Sequence, residues 1–135
     1  MSARHKARKA AFDLLYSAEQ RGQSLAVALD EFDVRETAKL EPLSELQYVR
    51  DIVRGVDAQQ STIDEQISAH LKDWTLNRLF AVDRAILRLA VWELLFSDAP
   101  KDAVRSEAIA LAEEYGSDDA GRFIAGVLGA IVRES

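Results

Sequence analysis

Apolar positions recur along this chain at helical spacing almost from end to end. Ala7, Ala11, Leu14, Leu15 and Ala18 fall at i, i+4, i+7, i+8 and i+11, one face of a first helix, with Gly22 placed to stop it. Arg4 and Arg8 extend that face toward the N-terminus, while His5, Lys9, Phe12 and Tyr16 form the adjacent one. A second helix is predicted from about Ser24, with Leu25, Ala28, Leu29 and Phe32 inward, and the polar stretch from Asp33 to Pro42 reads as a connection. Ser44 with Gln47 three residues on has the form of a capping box. Beyond it Leu46, Val49, Val53, Val56, Gln60, Ile63, Ile67 and His70 alternate steps of three and four, which predicts one long helix running through Gly55.

Trp74 and Thr75 mark a break, followed by a helical turn around Leu76 to Phe80. The segment from Asp83 to Phe96 is apolar on most of its circumference, so it belongs at the centre of the domain. Val104, Ala108, Leu111, Ala112 and Tyr115 build the next helix, stopped by Gly116, and Ser117 is placed to cap the last one. In that last helix Phe123, Ile124, Val127, Leu128 and Ile131 form the apolar face. Gly121, Gly126 and Gly129 each cost about 1 kcal/mol against Ala there, so close helix approach is expected. Sustained two-residue alternation is missing. The expectation is an all-α fold of about seven helices, a single globule over residues 1–135 made of two packed sub-bundles.

Composition narrows the function. The 135 residues contain no cysteine, which removes thiolate catalysis and every Cys-based metal site. The longest strongly apolar stretch, Ala85 to Phe96, is broken by Arg88 and Glu93 and is short of the roughly 20 residues needed to cross a bilayer. The basic start from Met1 to Lys9 leads into no secretory apolar region, so a soluble cytoplasmic protein with no membrane partner is expected. Phosphate loops, nucleophile elbows and zinc motifs are absent. Of the two histidines, His5 lies in the basic segment and His70 at a seam position, where a packed core or interface histidine is expected rather than a general base. Glu113 and Glu114, with Asp118 and Asp119, read as solvated charge near helix ends, so neither an enzyme, a cofactor nor a metal is expected.

Net charge changes the picture once it is divided. The whole chain carries −6, yet residues 1–9 hold Arg4, Lys6, Arg8 and Lys9 with no acid, leaving the rest strongly acidic. A polyanion meets local charge, not the average. Single-stranded RNA is held by cations on phosphates and aromatic faces on bases. The first helix supplies the cations. Arg122 and Phe123 add another cation and a stacking face if the two helix starts meet in space; otherwise Phe123 is a core residue.

Four blocks together carry a family resemblance. They are Ala3-Arg4-His5-Lys6-Ala7-Arg8 with Leu15-Tyr16, Asp83 through Leu94, Ser106 through Ala112, and Tyr115-Gly116 through Arg122-Phe123-Ile124-Ala125-Gly126-Val127-Leu128. In order and spacing they resemble the NusB family of bacterial transcription antitermination factors. The resemblance implies binding of boxA RNA in nascent ribosomal RNA transcripts together with the ribosomal protein NusE. Other Nus factors then join on RNA polymerase, and premature termination is suppressed. It places Arg4, His5, Lys6 and Arg8 on the RNA-binding segment, Phe123 on an aromatic position near the RNA path, Asp119 on an acidic position associated with RNA affinity, and Tyr16 and Asp83 toward NusE. His5 and Lys6 stand where arginines are common in the family, Ser106 and Ala125 replace asparagines, and Gly129 replaces a frequent Asp. The alternative function is a homodimeric helical interaction module whose self-association masks the RNA surface.

Overall fold

The computed structural model describes residues 3–36 and 43–134. Seven α-helices follow one another: α1 (Ala3–Arg21), α2 (Leu25–Glu36), α3 (Leu43–Ala58), α4 (Gln60–Ala69), α5 (Ala81–Phe96), α6 (Lys101–Tyr115) and α7 (Ala120–Glu134), with a 3-10 turn at Leu76–Arg78 before α5. Among the described residues there is no strand. No helix is long and apolar enough to cross a membrane, and no cluster of acids and histidines is placed to hold a metal ion, again among the described residues.

Helix α5 occupies the centre because Ala85, Ile86, Leu87, Leu89, Ala90, Val91, Trp92 and Leu94 leave almost no polar side to expose. It packs against α1 and α3, which pack on each other, and against α4, α6 and α7, of which α6 and α7 pack on each other, so the two sub-bundles share it. The predicted inward faces are inward: Ala7, Ala11, Leu14, Leu15 and Ala18 of α1 are buried, as are Ala28, Leu29 and Phe32 of α2. Gly22 ends α1 in the left-handed region, at φ +63°, with Gln23 N–H donating to Ala18 O at 2.9 Å and Gly22 N–H to Glu19 O at 3.2 Å. This is a Schellman stop, which a residue bearing a Cβ adopts only with strain. Ser24 caps α2, its Oγ accepting Val27 N–H at 3.2 Å.

Several expectations are corrected. Asp33 to Glu36, placed in the connection, are the last turn of α2; the stretch 37–42 lies outside the described residues. Ser44 sits inside α3 rather than before it, and Gln47 donates to Asp51 one turn on, at 2.8 Å, instead of closing a capping box. The long helix is two helices: Gln59, at φ −112° and ψ 18°, leaves helical torsions. Gln59 N–H still donates to Gly55 O, and Ile63 N–H to Gln59 O, so the apolar phase carries across the break. Gln60 is exposed, while Ile63 and Ile67 are fully buried.

Ser117 does not stand directly before α7. Its carbonyl accepts Ala120 N–H at 3.0 Å, and Asp118 and Asp119 form the turn between them. Close approach explains only some glycines. A Cβ at Gly121 would lie 3.1 Å from Glu113 Cγ, whereas one at Gly126 would meet nothing within 4 Å. His70 is a satisfied histidine that ties α4 to α7, with Nδ1 donating to Gln66 O at 2.7 Å and Nε2 paired with the Glu134 carboxylate. The bond to Gln66 O, against some burial and aided by Glu134, raises its pKa above the ordinary histidine value. Ion pairs join the remaining elements: Glu19 of α1 meets Arg84 and Arg88 of α5, and Arg88 also holds Asp64 of α4 at 2.9 Å.

Candidate nucleic-acid and partner interface

The basic start of α1 is held against the body by acids and aromatic rings. Arg4 lies over the Tyr48 ring, 4.6 Å from its centroid, and its Nη2 is 3.9 Å from Asp98. His5 Nδ1 is 2.6 Å from Glu107 Oε2 on α6. Lys6 and Lys9 are exposed, and Lys9 reaches the Tyr115 ring at 5.6 Å. Interaction with the Tyr115 hydroxyl raises the Lys9 pKa above the ordinary lysine value.

Arg8 does something else. It is 4% exposed, and Nε donates to Glu93 Oε1 at 2.8 Å while Nη2 donates to Oε2 at 2.9 Å. Glu93 is 1% exposed and also accepts from the Tyr48 hydroxyl. Burial opposes the charge on Arg8, and the bonds to Glu93 more than offset it, so its pKa rises. The Tyr48 phenol, desolvated and donating to a carboxylate, is pushed up to about 12. The expectation that Arg8 meets RNA phosphate is therefore corrected: its guanidinium faces inward and is occupied. The helical period already placed Arg8 on the buried stripe; what the sequence did not reveal was the acid, which is 85 residues away.

At the other end of the bundle, Asp83, Asp119 and Phe123 come together. They line one open cavity of about 500 Å³ with Trp74, Arg78, Leu79, Phe80, Ser117 and Ala120. Phe123 is half-buried against the core; Arg122 and Asp119 are exposed beside it. Trp74, after Asp73 in the left-handed region (φ 65°), is 57% exposed, and Phe80 is 70% exposed. Sequence reasoning passed over both aromatics, since a break and a short turn gave no period to mark them. No residue of α1 lines this cavity, so the cations and Phe123 flank α6 separately rather than sharing one pocket. Tyr16 is half-buried and stacks on Phe12 at 6.2 Å; Phe12 stacks in turn on Tyr115 at 5.3 Å.

Asp83 is a buried carboxylate, 5% exposed, whose Oδ1 has no hydrogen-bond partner. Gly116 passes close by, since a Cβ there would lie 3.3 Å from Asp83 Oδ1 and 2.6 Å from the Ala120 Cβ. Desolvation raises the Asp83 pKa above the ordinary carboxylate value. Its folded value thus exceeds its unfolded one. The folded state keeps the proton over a pH window in which the unfolded chain has lost it, and stability falls as pH rises through that window. Asp83→Asn is expected to stabilise the fold by about 1–2 kcal/mol at neutral pH, the cost of an unmet buried charge. The gain should vanish at acidic pH, and urea unfolding across pH checks it. A gain independent of pH would exclude titration of Asp83 as its cause.

The NusB family model matches residues 5–133. Transcription antitermination protein NusB of Nocardioides sp. (strain ATCC BAA-499 / JS614) is 46% identical, covering 98% of this chain and 96% of that one. The protein of the same name from Leifsonia xyli subsp. xyli is 50% identical, with 98% and 93% covered. T. maritima NusB superposes with a TM-score of 0.87 at 37% identity, over 97% of this chain and 91% of that one. A crystal structure of the antitermination factors NusB and NusE in complex with dsRNA matches with a TM-score of 0.88 at 30% identity, over 100% and 99%.

Proposed function

Because the chain belongs to the NusB family, we propose that it is a transcription antitermination factor that binds boxA RNA of nascent ribosomal RNA transcripts together with NusE. In this reading it joins other Nus factors on RNA polymerase and suppresses premature termination, acting in the cytoplasm by binding alone, without catalysis or a cofactor. The observation that carries it is the separation of two surfaces: exposed cations at the start of α1, and an aromatic cavity with acidic groups at the starts of α5 and α7.

Arg4, Lys6 and Lys9 hold phosphates, with His5 set on α6 through Glu107. Although the cations of α1 lie apart from it, Phe123 lines the open cavity and is only half-buried, so it offers a face to a base, with Arg122 a further cation and Asp119 setting the local charge at that end. Tyr16 and Asp83 face NusE. A carboxylate kept buried with one oxygen unbonded is costly in the free protein, and a cation from a basic ribosomal protein offsets that cost on binding. On this reading Asp83→Asn, while more stable, binds NusE more weakly.

Three exposed cations on single-stranded phosphates correspond to a slope of log K against log salt of about −2. Arg4→Ala/Lys6→Ala is expected to weaken boxA binding and to flatten that slope by about 1.4, or 0.7 for each phosphate lost. The measurement is a salt titration of labelled boxA RNA with and without NusE. An unchanged slope in the double variant removes the N-terminal segment from the RNA interface.

A further inference from the structure

Where α6 and α7 pack together, two arginines meet without an acid between them. A Cβ at Gly129 would lie 3.2 Å from Arg105 Nη2 of α6 and 3.4 Å from Arg133 Nη1 of α7, so both guanidinium tips converge on one buried glycine. Among the described residues, neither forms an ion pair, and the buried Nε of Arg105 has no hydrogen-bond partner. Glu134, beside Arg133 in sequence, is taken by His70. By contrast Arg8, Arg84 and Arg88, which also bridge helices, each hold a carboxylate.

We propose that Arg105 and Arg133 form a phosphate site for the backbone of the bound RNA, additional to the cations of α1. Two converging guanidinium groups repel each other unless an anion lies between them, and their fork of N–H donors matches phosphate oxygens. The position favours RNA. Glu107, two residues beyond Arg105, holds His5, and Asp98 in the loop entering α6 is 3.9 Å from Arg4. Helix α6 therefore meets the basic start of α1 through Glu107 and α7 at this pair, two residues apart on α6, and a strand held at Arg4 and Lys6 reaches the pair by passing around α6. The inference rests on the RNA-binding reading above.

Gly129→Asp tests it by supplying an internal anion. The atoms a new Cβ would approach are the flexible ends of the two arginines, so the fold is expected to keep or gain thermal stability. Arg133→Gln, at an exposed side chain, removes one donor set without disturbing the core. Labelled boxA RNA is titrated into the full chain with NusE over a range of salt. Both variants are expected to bind several-fold more weakly, with the slope reduced by about 0.7, one phosphate contact. If wild type binds and both variants match it in affinity and slope, the site is refuted while the RNA reading stands. If wild type binds no RNA, both fall. If RNA binding is intact but NusE affinity drops, the pair serves a protein carboxylate and the phosphate assignment is overturned.

Discussion

Glu93→Ala is expected to lower the stability of this protein by about 3–5 kcal/mol, because it leaves the buried Arg8 guanidinium without its counter-charge. Single domains have only about 5–15 kcal/mol in total, so the variant is expected to be partly unfolded at modest temperature. Arg8, at 4% exposure, has no route to water that would relieve the loss, and the Tyr48 hydroxyl loses its acceptor in the same step. Glu107 Oε1, 4.0 Å from Arg8 Nη1, is too distant to replace a bidentate partner. Urea unfolding followed by circular dichroism measures the change. Replacing both partners at once, Arg8→Met with Glu93→Leu, is expected to recover most of the loss, since matched apolar residues carry no desolvation penalty. A Glu93→Ala loss under 1 kcal/mol would mean that the pair is open to solvent and that Arg8 is after all available to RNA. The pair also matters for function at one remove. It joins α1, which carries the exposed Arg4 and Lys6, to α5, so Arg8 variants should reduce RNA affinity without flattening its salt slope.

Gly55→Ala is the second large effect. Alanine normally stabilises a helix interior by about 1 kcal/mol over glycine. Here the sign reverses, because a Cβ at position 55 would lie 1.9 Å from Trp92 Nε1 and 2.3 Å from Cε2. The indole is 9% exposed and wedged between α3 and α5, so one of the two helices must retreat. Overpacking of this kind costs about 1–3 kcal/mol, or more where rigid groups meet. The expected result is a net loss in thermal and urea stability together with a changed Trp92 fluorescence. Trp92→Leu in the Gly55→Ala background should restore part of the stability by removing the obstructing ring. A stabilised Gly55→Ala variant would show that α3 and α5 are farther apart than described.

The periodic reading succeeded wherever one helix face was enough to decide the answer. The buried stripes of α1, α2, α6 and α7 and the central place of α5 all followed from spacing, since a 3.6-residue period carries the same information in one dimension as in three. It failed where an answer needed two distant segments. Gly55 looked like a tolerated residue inside a long helix, and nothing within one turn of it signals Trp92, which is 37 positions away. Gly126 looked like a close approach and faces open space. Trp74 and Phe80 carried no period at all, yet they wall the cavity that gathers Asp83, Asp119 and Phe123.

By itself, then, the sequence determined that the chain is all-helical, which faces turn inward, where the cations gather and which family it resembles. All of these depend on local spacing, composition or the order of short blocks. Only the tertiary structure decided what the charges do. A cation becomes a structural group when an acid from another helix meets it, as Glu93 meets Arg8, and stays without an ion pair among the described residues when none does, as at Arg105 and Arg133. Electrostatic and packing energies depend on separation in space, and helices distant along the chain acquire that separation only when they pack.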